Sequence, residues 1–152
     1  MSIDARLAEL GITLPSVSAP AGAYIPALIT GNLVFTAGQL PFVDGALPET
    51  GKLGGGVDPD AAKGYARQAA LNALAAVESV IGSLDRVTRI VKVVGFVASD
   101  PSFTGQPGVI NGASEVLGEI FGDAGKHARS AVGVAVLPLD SPVEVELIVE
   151  FA

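Results

Sequence analysis

The chain has 152 residues, enough for one complete hydrophobic core, and its length favours a single domain spanning residues 1–152. Nine basic and sixteen acidic residues give a net charge of −7 with no basic run, which argues against a nucleic-acid partner. The absence of cysteine and the presence of one histidine exclude a disulfide framework and a thiol nucleophile and predict that no metal carries the chemistry.

The N-terminal part carries no targeting or membrane signal. Met1 to Arg6 lacks a basic segment followed by an apolar stretch, which favours a cytoplasmic protein. Proline and glycine interrupt the uncharged stretch Leu10 to Val43, whereas a spanning helix needs about 20 continuous apolar residues. The chain is nevertheless 49% hydrophobic and only 16% charged, so we expect some apolar surface to be buried against other copies.

Apolar spacing and turn residues predict the first elements in chain order. A short helix is expected over Asp4 to Leu10, ending at a glycine. Ala23 to Leu28 and Asn32 to Ala37 read as two strands of a β-hairpin. Gly45 to Gly56 is too rich in glycine for a packed element and is predicted to be a flexible loop.

The strongest helical signal follows over Pro59 to Ile81: Asp58 caps this helix, which starts with proline and ends before a glycine. The remaining predicted elements, in order, are a buried strand over Arg89 to Ala98, a helix over Val109 to Phe121, and two strands over Ala128 to Leu137 and Val143 to Phe151. The order β-β-α-β-α-β-β predicts an α+β fold, with a mixed sheet and two helices on one face. Its other face would be bare, and a ring of several copies is one way to cover it.

The last two predicted strands hold the residues best placed for chemistry. Glu144 and Glu146 face the same side in an apolar strand, where a carboxyl group either has a raised pKa or needs a partner. Arg129 opens the preceding strand and suits bidentate binding of a carboxylate. The alternatives are a solvated acidic pair and an arginine that reaches solvent at a strand end.

Regular pairing of these strands as a hairpin would place Arg129 opposite Phe151. Arg129 and Glu144 would then lie over roughly 20 Å apart in one chain. The two residues could therefore share a pocket only if neighbouring subunits bring them together.

Other candidates carry weaker signals. Tyr24 follows Gly22 and Ala23 and is either a pocket residue or a core residue. His127 adjoins a lysine and is more typical of a surface residue than of a base. Asn111 near a helix start is more typical of a cap than of a ligand contact. Three successive glycines from Gly54 lack the spacing of a phosphate-binding loop.

The run ARSAVGVAVLP from Ala128 to Pro138, followed by VEVE from Val143 to Glu146, resembles the C-terminal signature of the YjgF/RidA family of reactive-intermediate deaminases. Further matching segments, in the same order, are Thr36 to Pro41, the helical stretch from Ala66 to Glu78, Ile90 to Val97, and Val109 to Asn111. The chain adds an N-terminal extension, residues 1–20, and extra residues around Thr104 to Gly108, as in a less characterised branch of the family.

The resemblance implies a chorismate-mutase-like fold and a homotrimer with a central barrel and three ligand clefts between subunits. It implies that Arg129 binds the carboxylate of a small 2-imino or 2-enamine acid and that Glu144 activates the water that hydrolyses it. Tyr24 and Asn111 match residues that line the cleft, and the backbone near Gly38 and Ala131 shapes it. No cofactor is expected, because an imine is already electrophilic and only water must be delivered.

The chain departs from the family pattern at three positions. Ala131 stands where many members have cysteine, Ala37 where the deaminases have a substrate-contacting serine, and His127 where proline or alanine is usual. Loss of one buried hydrogen bond at Ala37 would weaken binding by about 1 to 3 kcal/mol. A trimer that binds a small carboxylate or keto acid without turnover is therefore the rival hypothesis. A ribonuclease or translation inhibitor, which the family's labels also include, is disfavoured by the acidic charge.

Overall fold

The computed structural model of the chain describes residues 1–17 and 22–152. Its helices are α1 (Ile3–Glu9), α2 (Pro59–Ile81) and α3 (Gln106–Phe121). Its strands are β1 (Ala27–Thr30), β2 (Leu33–Thr36), β3 (Val87–Ala98), β4 (Ala128–Val134) and β5 (Val143–Phe151). The α+β class and the order of the predicted helices and strands are confirmed. Residues 18–20, at the end of the predicted N-terminal extension, lie outside the described residues.

The five strands form one mixed sheet in the order β1-β2-β5-β3-β4. Strands β3 and β4 are parallel, and every other neighbouring pair is antiparallel. The predicted C-terminal hairpin is therefore wrong, because β3 lies between β4 and β5. The β3-α3-β4 crossover places β4 on one edge of β3, and β5 occupies the other edge, where the Ala98 N–H donates to the Pro142 carbonyl.

Helices α2 and α3 cover one face of the sheet, as predicted. The face of α2 that meets the sheet is made largely of fully buried alanines, which let the helix approach closely. Gly95 of β3 serves the same purpose for α3, since a Cβ there would overlap the Ile110 side chain. The third helix, α1, is tied down separately: the Arg6 guanidinium donates to the Glu119 carbonyl at 2.8 Å, and Leu7 is buried.

The opposite face of the sheet is bare in the single chain, also as predicted. Leu28 of β1, Phe35 of β2 and Val132 of β4 are 55%, 38% and 44% exposed on this face. The registers place them across the sheet on the side away from the helices. The same face also carries Glu144 and Glu146, so it is not uniformly apolar. Isolated apolar residues are common on protein surfaces, whereas several large ones exposed on one sheet face are typical of an interface.

Some boundaries and one loop differ from the sequence prediction. Strand β1 starts four residues late, at Ala27, and α3 starts three residues early because Pro107 fits its first turn. The loop from Gly45 to Gly56 has no helix or strand, yet it is anchored: Leu53 is fully buried and donates its N–H to the Ala98 carbonyl. Over residues 1–17 and 22–152, no helix is both long enough and apolar enough to cross a membrane.

Candidate ligand site in two halves

Arg129 lies on the edge strand β4 with its side chain on the helix-covered face. Its partner in the register is Val93, which is buried beneath the helices. The Nη1 group donates to Asn111 Oδ1 at 2.8 Å and to Ser114 Oγ at 3.2 Å, both on α3. No described residue forms a hydrogen bond with Nε or Nη2. This half-buried guanidinium is therefore held by α3 rather than extended into solvent, and one edge remains for a bidentate carboxylate.

His127 belongs to the same half of the site, contrary to the surface position that the sequence suggested. It is half-buried, with Nε2 2.8 Å from Ser114 Oγ and Nδ1 2.6 Å from the Gly125 carbonyl oxygen. Ser114 was missed by the sequence reasoning. The available signal was its spacing of three residues from Asn111, which places both side chains on one face of α3.

Asn111 and Ala131 complete this half, which we call the arginine half-site (Asn111, Ser114, His127, Arg129 and Ala131). Asn111 is not a helix cap, because α3 begins at Gln106 and its N-cap position is Gly105. Ala131 pairs with Gly95 of β3, so its small side chain lies on the same face as that of Arg129. The arginine half-site thus consists of a strand edge and the facing turns of α3.

Glu144 lies on the bare face, at the start of the central strand β5. It pairs with Phe96, while Val143 and Val145 on either side of it point into the core. Burial raises the pKa of the Glu144 carboxyl, and the charge of Glu146 on the same face raises it further. Among the described residues, none forms a hydrogen bond with the Glu144 carboxylate.

Gly38 lies against the Glu144 carboxylate. The two backbone hydrogen bonds between Gln39 and Val145 bring the chain after β2 beside β5. A Cβ at Gly38 would overlap the carboxylate, so any residue other than glycine at this position would displace the Glu144 side chain. Tyr24 precedes β1 at the same end of the hairpin, with its side chain 53% exposed. We call Tyr24, Gly38 and Glu144 the glutamate half-site.

The two half-sites lie on opposite faces of the sheet. Arg129 opposes Val93 of β3, and Glu144 opposes Phe96 of the same strand from the other edge. The Cα atoms of Arg129 and Glu144 are separated by two strand spacings, about 10 Å, and by three residues along the strand, also about 10 Å. They therefore lie roughly 14 Å apart. The predicted distance of over 20 Å was wrong because it assumed a hairpin. What separates the two side chains is the sheet itself.

The chemistry available to these residues is that of carboxylate binding and proton transfer. A guanidinium with a free edge binds a carboxylate, and a carboxyl group with a raised pKa is a better proton carrier than an ordinary one. Within residues 1–17 and 22–152, no three His, Asp or Glu side chains are grouped so that they could hold a metal ion.

Comparison with known proteins gives a consistent assignment. The family described as "YjgF/chorismate_mutase-like, putative endoribonuclease" matches residues 4–151. The chain is 43% identical over 149 residues to Protein TCP17 of Trypanosoma cruzi, covering 97% of this chain and 93% of that protein.

Two solved structures are also similar. The Agrobacterium tumefaciens protein Atu1372, described as of unknown function, is 44% identical with a TM-score of 0.91, over 99% of this chain and 92% of that chain. Escherichia coli TdcF with bound serine is 26% identical with a TM-score of 0.66, over 92% and 96% of the two chains. The chain therefore belongs to the YjgF/chorismate-mutase-like family.

Proposed function

We propose that the protein is a homotrimer that hydrolyses small 2-imino acids to 2-keto acids and ammonia in clefts between its subunits. The observation that carries this proposal is the placement of Arg129 and Glu144 on opposite faces of one sheet. A carboxylate held by Arg129 can reach a Glu144 side chain only if that glutamate comes from another copy. The bare face, on which Leu28, Phe35 and Val132 are exposed, supplies a surface through which copies associate.

In the proposed reaction, water adds to the imine carbon and ammonia leaves. Arg129 binds the substrate carboxylate through Nε and Nη2 and so fixes the position of the adjacent C=N bond. Glu144 takes a proton from water as the oxygen bonds to carbon, and it passes that proton to the imine nitrogen, which becomes an amine. The hydroxyl proton of the resulting carbinolamine then moves through Glu144 to the amine nitrogen as the C–N bond breaks, which releases ammonia and leaves the 2-keto acid. The raised pKa of Glu144 suits this two-way proton transfer.

The remaining residues of the two half-sites shape the cleft. Asn111 uses its Oδ1 to hold Arg129, so its amide nitrogen is available to donate to a ligand. Ala131 leaves space beside the guanidinium, and Tyr24 presents an exposed ring from the glutamate half-site. The serine bound to the related TdcF supports a small ligand that bears a carboxylate and a nitrogen substituent.

The second candidate is a trimer that binds a small carboxylate or keto acid without turnover. Ala37, beside Gly38, favours this alternative because its side chain offers no hydroxyl for a substrate. The two candidates share the Arg129 clamp and differ in whether Glu144 performs chemistry.

Release of 2-oxobutanoate from freshly generated 2-iminobutanoate distinguishes the candidates. We expect the wild type to accelerate release over buffer, Arg129→Ala to lose both turnover and ligand binding, and Glu144→Gln to lose turnover while still binding 2-oxobutanoate. Binding without acceleration in the wild type would favour the non-catalytic candidate. Equal turnover in the wild type and both variants would contradict the assignment of these residues.

A further inference from the structure

A chain of hydrogen bonds runs from the Gly125 carbonyl through His127 and Ser114 to Arg129. The Gly125 oxygen can only accept, so the hydrogen between it and His127 must be on Nδ1. In a neutral imidazole Nε2 is then the acceptor, and Ser114 must donate its single hydroxyl hydrogen to it. The lone pairs of Ser114 Oγ remain for Arg129. With a neutral imidazole, every member of the chain therefore has a defined direction.

The consequence for the guanidinium is that Nη1 is fully engaged by the protein. One of its hydrogens is donated to Asn111 Oδ1 and the other to Ser114 Oγ. A guanidinium offers two parallel N–H bonds on its Nε/Nη2 edge, which match the two oxygens of a planar carboxylate. Holding Nη1 fixes the direction in which this second edge points.

We propose that Ser114 and His127 are positioning residues that hold the Arg129 guanidinium with its Nε/Nη2 edge toward the cleft, and that they thereby set the affinity for a planar carboxylate. This inference rests on the proposed function only in taking Arg129 as the carboxylate anchor. His127 acts through the acceptor atom Nε2, which orients the Ser114 hydroxyl. Ser114 acts through its oxygen, which receives the Arg129 hydrogen.

The two residues have little part in the core, so their removal tests the site rather than the fold. Both are only half-buried, whereas α3 packs through fully or nearly fully buried residues such as Ile110, Val116 and Leu117. Ser114→Ala is a small change in a helix that alanine favours. Ser79→Ala is the matched control, because Ser79 lies in α2 and its hydroxyl donates only to the Ala76 carbonyl.

The test compares four variants in the full-length protein: Ser114→Ala, His127→Phe, His127→Gln and the control Ser79→Ala. The probe for binding is 2-oxobutanoate, measured by titration calorimetry, and turnover is measured with 2-iminobutanoate. Ser114→Ala and His127→Phe should raise Kd and KM roughly five- to tenfold with little change in kcat, as expected when one ordinary hydrogen bond that orients the guanidinium is lost. His127→Gln, whose amide oxygen can replace Nε2 as the acceptor, should recover most of the affinity lost in His127→Phe.

A ligand-independent measurement separates this inference from the proposed function. In NMR spectra of the wild type, the Nη1 hydrogens of Arg129 should exchange slowly and rotate slowly about the Cζ–Nη1 bond, and Ser114→Ala should abolish this. Wild-type Kd and guanidinium spectra in Ser114→Ala and His127→Phe would overturn the inference, as would equal losses in His127→Gln and His127→Phe. A wild type with slow Nη1 hydrogens but neither binding nor turnover would overturn the proposed function instead.

Discussion

The two half-sites differ in how many hydrogen bonds a single chain supplies to their charged groups. The arginine half-site is held by a network of hydrogen bonds in which Asn111, Ser114 and His127 fix one end of the Arg129 guanidinium. The glutamate half-site has a carboxylate in a partly buried position, against Gly38, with no described hydrogen-bond donor. The arginine half-site is preorganised by its own chain. The carboxylate of the glutamate half-site is partly buried without a hydrogen-bond donor, and a ligand or a neighbouring subunit can supply one.

Under the proposed function, this difference fits separate tasks for the two halves. An anchor whose Nη1 end is already held by hydrogen bonds suits binding, because little freedom is lost when the ligand arrives at its other edge. A carboxyl group whose pKa is raised suits proton transfer, because it takes up a proton from water more readily than an ordinary carboxylate does. Substitutions in the arginine half-site should therefore change affinity, and substitutions in the glutamate half-site should change rate.

The largest effect is expected at the anchor itself. Arg129→Ala should weaken 2-oxobutanoate binding by about 100-fold or more, because a bidentate charge-assisted contact is lost. Arg129→Lys keeps the charge but not the planar fork and should lose roughly tenfold. Titration calorimetry measures both. Wild-type affinity in Arg129→Lys would show that charge alone binds the ligand and that the geometry of the arginine half-site is irrelevant.

An intermediate effect is expected at Gly38. In Gly38→Ala the new methyl group would overlap the Glu144 carboxylate and displace it. We expect kcat for 2-iminobutanoate to fall about tenfold, as typical for a misplaced acid-base group, with the Kd for 2-oxobutanoate nearly unchanged. Gly56→Ala is the matched control, because a Cβ at Gly56 meets no atom within 4 Å. A higher Kd with an unchanged kcat in Gly38→Ala would contradict the assignment of binding to the arginine half-site and of proton transfer to the glutamate half-site.

The smallest effect is on stability and follows from the raised pKa of Glu144. A carboxyl group whose pKa is higher in the folded state than in the unfolded state favours folding in acid and loses that contribution as the pH rises through its folded value. Glu144→Gln removes the charge, so it should raise the thermal midpoint slightly at pH 7. At about pH 3.5, below the ordinary carboxyl pKa, the gain should vanish. A gain that is equal at both pH values would contradict burial as the cause.

The sequence was informative wherever a local rule decides the structure. The Asp58 cap and the alternation of Val143 to Val149 correctly predicted a long helix and a strand with Glu144 and Glu146 on one face. It failed where pairing is non-local. Nothing in the five residues from Pro138 to Pro142 distinguishes a hairpin turn from a connection across β3, and the parallel β3-β4 pairing depends on how α3 packs.

The candidate site shows the same division between local and non-local information. Arg129 and Glu144 stood out because each is a charged residue in an apolar strand. Ser114 did not, because its spacing of three residues from Asn111 gains meaning only when Arg129 is known to lie beside that face of α3. His127 was read as a surface residue for the same reason: its partners, Ser114 and Gly125, become visible only when α3 and β4 are placed side by side.

Mixing two inactive variants tests most directly whether the half-sites of different subunits form one site. Arg129→Ala and Glu144→Gln proteins would be unfolded together, refolded as mixed trimers, and assayed for 2-iminobutanoate hydrolysis, with each variant refolded alone as the control. If a cleft takes its arginine from one subunit and its glutamate from the next, about one cleft in four carries both native residues, and the mixture should regain about a quarter of the wild-type activity. A mixture as inactive as its parents, in trimers shown to contain both variants, would contradict the shared site.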